Sequence, residues 1–158
     1  MTTAVKVNSP NHIVNIATVL TVDRIQVKCD ASSKKRVLEV ASQLIGQALP
    51  ECDYKEIFEH FIAREKLGST AIGHGIAIPH IRLEHIDQAI AAVLTLQQPV
   101  DFNSPARLSA DLIVALVVPT DRDQEHLDLL KTITSRLHNE LTREALRNSE
   151  NAEVIYHI

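Results

Sequence analysis

A single-domain α/β sandwich, with helices packed on a central sheet, is the fold class this sequence predicts, on three observations. The chain has 158 residues, enough for one sizeable core and too few for two comfortable ones. Two near-continuous apolar runs, Ala89 to Leu96 and Asp111 to Val118, read as central strands covered on both faces. Around them lie segments whose apolar residues recur at spacings of three and four, the period of amphipathic helices.

Residues 1–15 are polar, contain Pro10, and read as a flexible lead-in, so order is expected from Ile16 and the domain over 16–158. Ser32 or Ser33 can cap a first helix with its stripe at Val37, Val40, Ala41, Leu44, Ile45 and Ala48, ending before Pro50. Asp53, with Glu56 three residues on, predicts a capped second helix that buries Ile57, Phe58, Phe61 and Ile62. That helix delivers Arg64 and Glu65 at its end, where Gly68 can stop it. Thr70 to Ile78 is small or β-branched, and Gly73 and Gly75 favour an extended segment with a bulge or turn. The stretch between the two apolar strands, QQPVDFNSPARLSA, reads as a loop or edge connection. After Pro119, Thr120 or Asp121 can cap a third helix with the stripe Leu127, Leu130, Ile133 and Leu137. His126 falls on the buried side of its first turn. From about Glu140 the tail predicts one or two short helices carrying Ala145, Leu146, Val154, Ile155 and Ile158.

Composition narrows the function. With 16 basic against 20 acidic residues, 3 % aromatics and no basic stripe, nucleic acid is an unexpected partner. Cys29 and Cys52 lie far apart, form no CxxC pair and sit beside predicted helix ends, so neither a disulfide framework nor a zinc knuckle is indicated. The longest apolar run, Leu112 to Val118, is far below the ~18 residues of a membrane span. A cytoplasmic protein without membrane insertion is the expectation.

The chemistry concentrates in Arg64 to His80, REKLGSTAIGHGIAIPH, where a single imidazole closes an extended apolar segment. A neutral histidine has an ordinary pKa near ~6.5 and attacks an activated phosphoryl group without a general base. His80 follows one extended segment and His126 opens a helix that follows another, so both can meet at a sheet rim. One would attack; the other, with backbone N–H groups, would donate to phosphoryl oxygens, and Arg64 would neutralise charge. Each has a plainer reading: a turn histidine, a packed helix-start histidine, and half of a surface ion pair. His74, His80, His85 and His126 also raise a metal site, but no pair has the i, i+4 spacing and no carboxylate or cysteine completes a set. His12, His60, His138 and His157 read as surface or packing residues.

The pattern RE-x-L-GST-x-IG-x-GIAIPH resembles the signature of the enzyme IIA domains of the bacterial phosphoenolpyruvate-dependent phosphotransferase system, fructose/mannitol class. SSKKRVLE at Ser32 to Glu39 and the chain length make it most similar to the nitrogen-regulatory branch. The resemblance implies a mixed sheet flanked by helices, phosphorylation of His80, a supporting role for His126 in EHLDLL, and Arg64 lining the same site. It implies a phosphotransferase component that takes its phosphoryl group from an HPr-type histidine phosphocarrier and needs no cofactor or metal. It further implies regulation by phosphorylation-dependent binding, with potassium transporters or sensor kinases as the kinds of target. A sugar-transport enzyme IIA serving an enzyme IIB, and a binding module of the same fold without phosphotransfer, are the alternatives. Two positions depart from the pattern: Ala71 stands where glycine is frequent, and Ile81 where glycine or alanine is usual. Ile81 is expected to crowd the nucleophile and, with Ile78, to form an apolar rim around it.

Overall fold

The computed structural model describes residues 16–158, so the expected lead-in over 1–15 and His12 lie outside the described residues. Two short 3-10 turns, Ile16–Thr18 and Val22–Arg24, precede strand β1 (Ile25–Cys29). Helices α1 (Lys34–Gly46) and α2 (Tyr54–Leu67) follow, then three short strands, β2 (Ala71–Gly73), β3 (Ile76–Ala77) and β4 (His80–Leu83). Two long strands, β5 (Ile90–Asp101) and β6 (Ser109–Pro119), lead to helices α3 (Asp123–His138), α4 (Glu140–Asn148) and α5 (Ala152–His157).

The six strands form one sheet in the order β1-β5-β6-β3-β2, with β4 also on β6. β1 runs parallel to β5, β5 antiparallel to β6, and β3 and β4 both parallel to β6, which makes the sheet mixed. β6 shows why its sequence reads as one apolar run. Ile113, Ala115 and Val117 pack under α1 and α2, against Val37, Ile45, Ile57 and Phe61. Leu112, Val114, Leu116 and Val118 pack under α3 to α5, against Leu129, Ile133, Leu137, Leu146 and Ile155. Alternate side chains of a strand point to opposite faces, so a strand buried on both has no polar phase.

The helix caps follow their chemistry. Ser33 accepts from the Arg36 N–H, Asp53 from Lys55, Asn139 from Leu141 and Thr142, and Asn151 from Glu153. In the tail, Leu146 and Ile155 are buried, whereas Ala145 and Val154 face outward.

The structure departs from the sequence expectations at five points. β1 was not foreseen: it has five residues and an irregular register, and its Lys28 adopts φ 51° and donates its N–H to Thr95 Oγ1 at 2.8 Å. Cys29 therefore closes a strand and does not neighbour a helix end. β5 continues past Leu96 to Asp101, because a register shift between Thr95 and Val100 accommodates Pro99 in the strand. Neither Thr120 nor Asp121 caps α3, whose N-cap position is Arg122 without a side-chain cap bond. Leu127 is 48 % exposed, and the buried face of α3 is His126, Leu129, Ile133 and Leu137.

Candidate active site

The segment from Gly68 to Leu83 is shaped by backbone constraints before any chemistry. Gly68 ends α2 at φ 153°, ψ 149°, a region nearly closed to residues with a Cβ. β2 and β3 then form a tight hairpin whose two turn residues, His74 and Gly75, both have positive φ, 56° and 78°. A Cβ at Gly75 would lie 2.3 Å from Arg147 Nη2 and 2.6 Å from an Asp111 carboxylate oxygen. These are the atoms that pin the hairpin: Arg147 Nη2 donates to Asp111 Oδ1 at 2.9 Å and to the His74 carbonyl at 2.6 Å.

Beyond the turn, β3 and β4 lie in the same register along β6, Ile76 opposite Leu112 and His80 opposite Leu116, with Pro79 between them. Proline has no N–H to donate, which suits an edge position. Alternation then assigns the faces. Ile76 and Ile78 point toward α3, Ala77, Ile81 and Leu83 toward α1 and α2. His80 and Arg82 fall in the phase of Ile76 and Ile78.

Ile78 and Ile81 are 4 % and 6 % exposed and pack chiefly on opposite faces of the sheet, so they form no exposed apolar rim, although Ile81 still lines the groove beside His80 and His126. The exposed apolar residue lining the groove is Leu67, at 84 %, while the exposed Leu127 follows His126 on α3 outside that lining. Ala71 is not among the residues with positive φ, and its strand backbone does not require glycine.

His80 is half-buried, and its Nδ1 lies 2.7 Å from the Ile78 carbonyl oxygen. A carbonyl only accepts, so Nδ1 carries the proton and the lone pair of the neutral ring is on Nε2. Burial holds the His80 pKa below the ordinary imidazole value; the bond to Ile78 and the Glu65 charge oppose this, and Arg64 and Arg82 reinforce it. His126 stands on the first turn of α3 with its ring centroid 5.4 Å from that of His80 and the planes 63° apart. Its pKa is also lowered, first by burial, then by His80 and Arg82, against a raising effect of Asp123. His126 Nε2 is buried and has no hydrogen-bond partner among the described residues. Such an atom costs about 1–3 kcal/mol, a cost relieved by any acceptor or donor placed beside it.

Arg64 reaches the same groove from the end of α2, with Nη1 donating to the Gly68 carbonyl at 2.9 Å. The groove thus brings together His80, His126 and Arg64, the three residues that the sequence singled out. It also holds two that sequence reasoning missed or set aside, His60 and Arg82. Arg82 was not legible, because the extended segment read from the sequence ends at Ile78 and the strand His80–Leu83 that places Arg82 on the face of His80 appears only in the structure. His74 and His85 lie elsewhere, in the hairpin turn and on an exposed loop, and no cluster suited to a metal ion occurs among the described residues.

The rest of the long motif is scaffold. Glu65 is buried, pairs with Lys34 Nζ at 2.8 Å, and accepts from the Thr70 hydroxyl and the Thr70 N–H. Lys34 in turn donates to the Phe102 carbonyl at 3.0 Å. This network ties α1, α2 and the start of β2 together, and so fixes where Arg64 and the hairpin stand relative to each other.

Comparison with known proteins agrees with this architecture. Residues 18–158 match the family model described as phosphoenolpyruvate-dependent sugar phosphotransferase system, EIIA 2, and the chain belongs to that family. A nitrogen regulatory protein of Pseudomonas aeruginosa is 44 % identical over 146 residues, covering 92 % of this chain and 95 % of the relative. One from Escherichia coli is 38 % identical over 136 residues, covering 85 % and 82 %. The crystal structure of the nitrogen regulatory protein IIA-Ntr from Neisseria meningitidis superposes with a TM-score of 0.84 at 34 % identity, covering 90 % of this chain and 97 % of that one. The mannitol IIA of Escherichia coli, at 18 % identity and a TM-score of 0.72, shares the fold, covering 87 % of this chain and 96 % of its own. Among the described residues no helix is long and apolar enough to cross a membrane.

Proposed function

We propose that this member of the enzyme IIA family is a regulatory phosphocarrier of the nitrogen-related phosphotransferase system, acting in the cytoplasm on a phosphoryl group carried by His80. Residues 16–158 are its working unit. The observation that carries this reading is the bond from His80 Nδ1–H to the Ile78 carbonyl beside an unpartnered His126 Nε2. It leaves one neutral ring nitrogen free as nucleophile and a second imidazole free to meet what that nucleophile acquires.

The lone pair on His80 Nε2 attacks the phosphorus of a phosphohistidine on an HPr-type carrier. The new N–P bond forms as the donor's N–P bond breaks, and that electron pair returns to the donor's imidazole. His80 gains positive charge in the step, and its Nδ1–H, held by the Ile78 carbonyl, bears it without leaving. His126 donates to a phosphoryl oxygen, and Arg64 adds cationic charge near the transferring group. The regulatory role is supported by the similarity to nitrogen regulatory proteins along most of the chain. Potassium transporters and sensor kinases are the proposed kinds of target, bound differently by the free and phosphorylated forms.

The test is incubation with phosphoenolpyruvate, enzyme I and an HPr-type carrier. One acid-labile, alkali-stable phosphate should appear on His80 and be absent from His80→Ala. Undiminished labelling of His80→Ala removes the assignment. Equal capture of lysate proteins by both forms, with rapid transfer to a soluble enzyme IIB, replaces regulation by sugar transport.

A further inference from the structure

Arg82 has no assigned role, yet it shares the strand face of His80 and lines the groove that holds both histidines. Residues two apart on a strand are about 6.6 Å apart, within reach of an arginine side chain. In the unmodified protein its guanidinium is engaged elsewhere: Nη1 lies 2.7 Å from Asp123 Oδ1. Asp123 is the first residue of α3, three positions before His126. Both partners are solvated, with side chains 47 % and 72 % exposed, and a pair of this kind is held weakly and exchanges readily. Arg64, the other cation in the groove, already spends one N–H on the Gly68 carbonyl.

We propose that Arg82 is a second phosphoryl-binding cation, parked on Asp123 while His80 is unmodified and transferred to the phosphoryl oxygens when His80 is charged. The inference rests on the phosphotransfer reading above. A phosphoryl group carries nearly two negative charges and three acceptor oxygens, against one charge on Asp123. A planar guanidinium binds such a group through two parallel N–H bonds, so the exchange runs toward phosphate. Asp123, now beside a like-charged dianion, is driven outward. The start of α3 then presents a free carboxylate only in the phosphorylated state, next to the exposed Leu127, where a partner can read it. The field of Arg82 already reaches both imidazoles, which fits a cation poised between them.

The experiment is single-turnover transfer from a phosphorylated HPr-type carrier to the full chain, with carrier concentration varied to separate the limiting rate from the concentration dependence. Arg82→Ala should lower the limiting rate by roughly tenfold to a hundredfold, as expected for loss of a charge-assisted bond. Arg82→Lys should recover part of it, keeping the charge without the fork. Asp123→Asn should raise the rate a few-fold, and this gain should vanish in Arg82→Ala/Asp123→Asn. A limiting rate for Arg82→Ala within twofold of wild type overturns the proposal, as does an effect confined to the concentration dependence, which marks a docking contact. A gain from Asp123→Asn that persists in the double variant overturns the parking step. These outcomes presuppose labelling of His80 in the wild type; its absence overturns the phosphotransfer reading itself, and this inference with it.

Discussion

His126→Ala separates chemistry from architecture, because the structure predicts opposite sizes for its two effects. The ring is 9 % exposed, so its removal costs packing, about 1–3 kcal/mol for a change of this kind. Its Nε2 is buried without a partner, and removing that atom returns about 1–3 kcal/mol of desolvation. The two offset, and the variant should melt within a few degrees of wild type. Transfer has no such compensation. A lost donor to a developing oxyanion is worth about 2.7–4 kcal/mol, or roughly a hundredfold to a thousandfold in rate. His126→Gln keeps an N–H near the same place and should recover part of the loss. The assay is rapid-quench transfer from the phosphorylated carrier, with thermal unfolding run on the same samples. A rate within about threefold of wild type is less than about 1 kcal/mol and refutes the role of His126. So does phosphate recovered on His126 itself.

His80 and His126 both sit below the ordinary imidazole value because burial penalises their charged forms. The unfolded chain therefore takes up protons first, so their contribution to stability is present above about pH 6.5 and lost as the pH falls below it. The transfer rate, which needs neutral His80, should be flat above about pH 6.5 and fall only at lower pH; an acid limb centred above that value contradicts the burial argument. Gly75→Ala forces a positive-φ alanine onto Arg147 and Asp111, and should cost about 2–4 kcal/mol in chemical unfolding while slowing transfer through a displaced hairpin; wild-type stability would show that the Arg147 anchor is dispensable. Ile81→Ala should lower stability by about 2–5 kcal/mol and leave transfer no faster, since most of its side chain packs in the core and only its edge lines the groove; faster transfer without destabilisation would show that this edge crowds His80.

What was legible in the sequence was whatever a single segment decides. α1 and α2 were readable from cap and stripe, and β6 from an apolar run with no polar phase, because each of those signals is local. β1 was not, because its five residues owe their extension to pairing with β5, which lies more than sixty residues away. Leu127 was placed on the buried stripe and Leu129 was not, since both fit a helical period and only the sheet beneath decides which faces it. His80 and His126 stand out by their chemistry, and their meeting was legible from topology, but the place of Arg82 in the groove needed the face assignment of β4. Ile81 shows the same limit: beside His80 in sequence, it packs mainly under α1 and α2 and touches the groove only as part of its lining.

The site lies where it does because two requirements pull against each other. On the proposed reading, His80 must reach another protein's phosphohistidine and so stand at the surface, yet burial is what holds its pKa below the ordinary imidazole value. β4 meets both demands by position. One flank is hydrogen-bonded to β6, and among the described residues no strand covers the other. The end of α2, with Arg64 and Leu67, overhangs one side of the edge, and the start of α3, with His126, overhangs the other. A further strand outside β4 would bury His80 beyond the donor's reach. Without the first turn of α3, the ring would rehydrate and its pKa would climb toward the ordinary value. Leu129, buried one residue row behind His126, is what holds that turn on the sheet. The packing of α3 against β6 therefore sets the distance between the two imidazoles and adds to the burial that lowers the pKa of His80.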